Sequence, residues 1–130
     1  MEDSIFTKII NGDIPCHKVY EDDTTFAFLD ISPIAPGHTL VVPKKQVETL
    51  WDLDEDTYRD VMATAKKIAV RMKQQLQVEY VGVQVIGVDV PHAHVHLIPF
   101  NDVSDYHNIP DTSAEPNHGA LGAVARKLQF

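Results

Sequence analysis

The sequence predicts an α+β domain, on three observations. Five strand-like segments are grouped along the chain instead of alternating strictly with helices. One long stretch, Asp54 to Gln77, carries an apolar stripe of helical period, from Tyr58, Val61 and Met62 to Met72 and Leu76. And His92-Ala93-His94-Val95-His96 alternates histidine with small and apolar residues, a period of two that belongs to a strand. A mostly antiparallel five-stranded sheet with one long and one short helix satisfies all three.

The elements follow in order. Ser4 to Gly12 is expected to be the short helix. Ser4 is its cap, Ile5, Phe6, Ile9 and Ile10 lie at helical spacing, and Gly12 is the stop. Ile14-Pro15 turns the chain into a hairpin. Its strands are His17 to Tyr20 and Thr24 to Asp30, joined by Glu21-Asp22-Asp23. Phe26 and Phe28 face one side of the second strand, Ala27 and Leu29 the other. A loop with two prolines and Gly37 leads to a third strand, His38 to Pro43. The long helix comes next, with Asp54 as its cap, acids at its start and bases later, as the helix dipole favours. Tyr80 to Ile86 is the fourth strand and the histidine segment the fifth. From Asn101 to Asn117 the composition turns to Asp, Ser, Asn and Pro, as in a loop or a partly disordered tail. Leu121 to Leu128 is a candidate terminal helix. Residues 1–100 thus form the domain and 101–130 a tail.

The chain is 130 residues long, 44% apolar and 23% charged, ordinary values for one globular domain. A net charge of -8 argues against a nucleic-acid polymer or an anionic membrane as partner. Cys16 is the one cysteine, so no internal disulfide can form. Met1-Glu2-Asp3-Ser4 lacks the basic-then-apolar layout of a signal peptide, and no apolar run reaches bilayer length. A cytoplasmic location is the expectation.

On a regular strand His92, His94 and His96 would present three imidazoles to one face, neighbours starting about 6.6–6.8 Å apart. Histidine titrates near neutrality, so such a row can attack, donate and orient. Two neighbours could share a zinc ion. The outer pair, about 13 Å apart on a regular strand, could not do so without a kink. A Gly-rich phosphate loop of the Gly-x-x-x-x-Gly-Lys type and a Gly-x-Ser-x-Gly elbow are both missing from the sequence.

Taken together with Pro36-Gly37-His38-Thr39-Leu40-Val41-Val42-Pro43-Lys44, the histidine segment resembles the histidine triad (HIT) family. Ile5-Phe6-Thr7-Lys8-Ile9-Ile10, Val19-Tyr20-Glu21-Asp22 and Phe28-Leu29-Asp30-Ile31-Ser32-Pro33 are similar to it in order and spacing. The resemblance implies a HIT-like fold and a homodimer whose sheets join into one larger sheet. It also implies a purine nucleotide ligand, no cofactor, and transfer or hydrolysis of nucleoside monophosphate groups. On its pattern His94 is the nucleophile that forms a nucleotidyl-histidine. His92 orients it, His96 assists the leaving group, and His38 lies near the nucleophile's other nitrogen. Ile5, Phe6, Ile9, Phe28 and Ile31 match positions around the base, and Asp30 the carboxylate that holds the ribose hydroxyls. Asp89 falls in the turn expected to face the phosphate.

The expected activity is that of a phosphoramidase-like nucleotidyl hydrolase or transferase. A dinucleoside polyphosphate hydrolase and a nucleotide-binding scaffold with vestigial activity are the alternatives. The chain departs from the family pattern twice. Ser4, Thr7 and Gln46 stand where some members place two cysteines and a histidine on a structural zinc, so no metal is expected. The segment Gln84 to Pro91 is shorter than usual and puts Val88 and Asp89 where a polar donor is expected.

Overall fold

The computed structural model describes residues 2–130. Its centre is a five-stranded, wholly antiparallel sheet, formed by β1 (Lys18–Glu21), β2 (Thr25–Leu29), β3 (Thr39–Pro43), β4 (Tyr80–Gln84) and β5 (Val95–Phe100) in the order β1-β2-β3-β5-β4. Helices are α1 (Ile5–Ile10), α2 (Glu55–Gln75), α3 (Val103–Tyr106) and α4 (His118–Leu128), with one 3-10 turn at Leu50–Asp52. The expected caps are present. The Ser4 hydroxyl accepts the Thr7 N–H, and the Asp54 carboxylate accepts the Thr57 N–H.

Strand alternation splits the sheet into two faces. Ala27, Leu29, Val41, Val95 and Leu97 point to the side that α2 covers with Val61, Ala65, Ile68 and Met72. Phe26, Phe28, Leu40 and Val42 point the other way and form a second cluster with Phe6 of α1. Leu40 is directly opposite His96 in the sheet, so the histidine side and this second cluster share one face. That face is where the site lies. Apolar burial at about 25 cal/mol per Å² drives both layers, but only the α2 layer is closed.

Two expectations need correction. The histidine segment is not one regular strand, because β5 begins at Val95. The His92 N–H turns back to the Val90 carbonyl at 2.8 Å, and the Ala93 N–H goes to the Val47 carbonyl at 2.7 Å instead of to the β3 ladder. The residues after Asn101 are not a loose tail. They form α3, then a segment tied by hydrogen bonds, then α4, which begins three residues earlier than expected. Leu121, Ala125 and Leu128 of α4 enter the main core beside Val19 and Leu29. Composition alone reads 101–117 as polar and proline-rich. It does not see that Asp102 and Asn117 are helix caps.

Candidate active site

The site is built on the irregular stretch before β5. The His92 ring is fully buried. Its Nε2 lies 2.7 Å from the Pro43 carbonyl oxygen, which only accepts, so Nε2 carries the proton. Its Nδ1 then accepts from the Ser4 hydroxyl at 2.8 Å. With both ring nitrogens spent inside the fold, His92 cannot reach a ligand. What it offers the site is its backbone: its carbonyl accepts from His94 Nδ1 at 2.8 Å. That bond places the neutral His94 proton on Nδ1 and leaves a lone pair on Nε2. A neutral imidazole needs that state to act as a nucleophile.

His38 sits elsewhere than expected. It is not beside the remaining nitrogen of His94, because the His92 carbonyl occupies that place. The Ile34 N–H donates to His38 Nδ1 at 3.0 Å, so the neutral ring holds its proton on Nε2. That Nε2–H donates to His96 Nδ1 at 2.9 Å. His96 in turn carries its own proton on Nε2. The relay thus ends in an N–H donor beside the His94 ring, whose centroid is 5.0 Å from that of His96. Burial pushes His38, His92 and His96 below the ordinary histidine value, His96 to about 4 with His38 and His94 as further causes. The Asp30 carboxylate, 3.7 Å from His38 Nε2, opposes the shift at His38.

Asp30, His38 and His96 also bring three donor atoms within 4.8 Å of one another. They are poor ligands for an ion. The His38 nitrogen that faces His96 carries a proton, and freeing it would turn a protonated Nδ1 against the Ile34 N–H.

Beside the histidines is a cavity of about 380 Å³. Ile5, Phe6, Ile9, Phe28, Asp30, Ile31, Asp89, His94 and His96 all line it. Phe6 is the hinge of its wall. Its ring meets Phe28 at 5.4 Å and His94 edge-on at 5.1 Å. The walls are mostly apolar, and Asp30, His96 and His94 lie close together among them, linked through His38. A larger open groove of about 700 Å³ runs beside β1. Its two lysines are already paired, Lys18 and Lys44 both lying on Glu21 at 3.1 and 2.8 Å.

The HIT domain model matches residues 11–103. The chain belongs to the HIT family. A HIT-like protein of Borreliella burgdorferi is 42% identical over 106 residues, 76% of each chain. The adenosine 5′-monophosphoramidase of Saccharomyces cerevisiae is 34% identical over 125 residues, 95% of this chain and 79% of that one. Among solved structures, a Hit-like protein of Bartonella henselae superposes with a TM-score of 0.81 at 36% identity, covering 98% of this chain and 95% of that one. A zinc-bound histidine triad protein of Mycobacterium smegmatis superposes at 0.76 with 27% identity, over 95% and 94% of the two chains.

Ser4, Thr7 and Gln46, the three residues that the resemblance set against zinc ligands of some members, come together in the fold. They make a hydrogen-bonded cluster around His92 Nδ1. Ser4 N–H and Thr7 Oγ1 both donate to Gln46 Oε1 at 2.7 Å, and Gln46 Nε2 donates to the Glu2 carbonyl. Hydroxyl and amide oxygens are hard, neutral donors, unlike the thiolates and imidazoles zinc prefers. The cluster does not fit zinc, and hydrogen bonds do the stapling. Ile14, Pro15, Cys16, Ile86 and Val90 also line the HIT cavity. Sequence reading passed over them as turn residues or gave them no role. The apolar pair Ile14-Pro15 just after the helix stop was the available signal. Among the described residues no helix is long and apolar enough to cross a membrane.

Proposed function

We propose that this protein is a nucleotidyl hydrolase or transferase acting on the α-phosphate of purine nucleoside phosphoramidates or related phosphate esters. The observation that carries the reading is the bond from His94 Nδ1 to the His92 carbonyl, at the edge of a mostly apolar cavity. The likeness to the yeast adenosine monophosphoramidase supports the same class.

In this reading the base lies among Ile5, Phe6, Ile9, Phe28 and Ile31, and the second oxygen of Asp30 accepts from the ribose hydroxyls. His94 Nε2 gives its lone pair to phosphorus, and the bond from phosphorus to the leaving atom breaks. The leaving nitrogen is protonated in the bound phosphoramidate (P–NH2R⁺), so it departs with that electron pair as a neutral amine. His96 Nε2–H donates to a phosphoryl oxygen and stabilises the charge that grows there. Water then attacks phosphorus, the pair in the P–N bond returns to the His94 ring, and the water proton passes to solvent. Asp89 is exposed on the cavity wall, so its carboxylate weakens the hold on a phosphate anion through a mostly solvent-screened repulsion.

The test is turnover of an adenosine phosphoramidate without added metal, with trapping of the covalent adduct. The wild type should turn over and be trapped. His94→Ala should lose both while still binding AMP. A fully active His94→Ala protein would sink the reading.

A further inference from the structure

The segment after β5 crosses the histidine side of the sheet. The Tyr106 ring of α3 lies on Gly82 of β4, where any Cβ would collide with it. Gly82 is one pleat repeat along from Gln84, which is directly opposite His96. Two residues after Tyr106, Asn108 Nδ2 donates to the Ile34 carbonyl at 3.0 Å. Ile34 is also the residue whose N–H sets the His38 tautomer.

We propose that Asn108 is a positioning residue, holding Ile34 so that His38 keeps its proton on Nε2 and His96 presents N–H to the phosphoryl group. The proposal rests on the nucleotidyl-transfer reading above.

The loop from Asp30 to His38 shows why an outside anchor is needed. Its base is closed by the Asp30 N–H on the His38 carbonyl and by the His38 N–H on the Ala35 carbonyl. Its first turn is closed by the Ser32 N–H on Asp30 Oδ1. The apex, Pro33-Ile34, is held from within the loop by the Ile34 N–H on His38 Nδ1, the bond whose placement matters here, and Pro33 has no N–H to give. Among the described residues, Asn108 supplies the one hydrogen bond that reaches the loop backbone from a side chain beyond β3.

If Ile34 drifts, His38 Nδ1 loses its donor and is free to take up a proton. The His38 proton on Nε2 is then no longer fixed. Once Nε2 becomes the acceptor, His96 turns its proton to Nδ1 and a bare lone pair toward the phosphoryl oxygens, where it repels. The charged and titratable groups around the pair are few: Asp30 at 3.7 Å, the His94 ring, and Asp89 on the cavity wall. Asp30 faces Nε2 and favours the same tautomer from 3.7 Å, beyond hydrogen-bond distance, while the Ile34 N–H is the group that contacts Nδ1 directly.

Nitrogen NMR of the histidine rings in the full-length protein reads the tautomers directly. Wild type should show His38 and His96 both protonated on Nε2. Asn108→Asp keeps the shape but removes the donor, and Asn108→Ala removes the side chain. Both should mix the two tautomers at His38 and His96 and lower kcat on the phosphoramidate by roughly three- to tenfold, the range of one net hydrogen bond. AMP affinity should stay the same. Unchanged tautomers in the two variants, whatever happens to kcat, would overturn the proposal. A wild type with no turnover would instead overturn the functional reading, while the ring signals still judge the relay.

Discussion

His96, His38 and His92 all titrate below the ordinary histidine value, with burial as the leading cause in each. In the unfolded chain each takes up a proton near pH 6.5, about the value of a free histidine. In the folded chain His96 does so only near 4. Between these values the unfolded state holds more protons, so stability rises with pH across the window. The contribution is complete above about 6.5 and drains away as pH falls toward 4. The urea midpoint should therefore drop between about pH 7.5 and pH 5, and His96→Asn should flatten part of that slope. A midpoint that does not move would mean the rings are not held neutral. At this scale the sequence supplied the histidines and little more. Which nitrogen carries each proton depends on the Pro43 and His92 carbonyls and the Ile34 N–H, partners that lie up to 49 residues away and have no signature in side-chain identity.

Among the elements, α1 depends on one hydroxyl with two tasks. Ser4 caps the helix and fills the hydrogen-bonding need of the buried His92 Nδ1. Ser4→Ala should cost about 2–3 kcal/mol, a lost cap plus a buried nitrogen without its main donor. It should also weaken AMP binding, because Ile5, Phe6 and Ile9 of α1 wall the cavity. Denaturation and calorimetric titration read the two effects. A metal chelator should leave the wild-type midpoint unchanged, since hydroxyl and amide donors hold α1. The helices were legible from their caps and period. The start of β5 was not, because an alternating pattern fits a strand equally well whether or not its N–H groups find a ladder. The diversion of the Ala93 N–H to Val47 is a tertiary choice.

For the whole molecule, the sheet has two edges, β1 and β4, and β4 pairs with β5 alone. Tyr80, Val83 and Ile86 are each at least half exposed along it. An open, apolar edge is a pairing surface. We propose that a second copy pairs there, isologously, and continues the sheet. Light scattering should give the mass of a dimer at micromolar concentration. Val83→Lys should give that of a monomer with an unchanged circular dichroism spectrum. A wild-type monomer would remove the edge from consideration. The antiparallel sheet and its two faces could be foreseen from alternation. The place of α4 in the core could not, since Leu121, Ala125 and Leu128 carry no mark of which strand they will meet.

That place of α4 bears on how the chain comes off the ribosome. A chain that has emerged only as far as Phe100 has every strand of the sheet, yet its main core is open where Leu121, Ala125 and Leu128 will sit. Val19 and Leu29, fully buried in the folded chain, lack the part of their cover that α4 supplies until then. Closing contacts so distant in sequence is slow compared with local helix formation. During that interval the nascent sheet shows the kind of apolar surface that holding chaperones bind and that neighbouring nascent chains can stick to.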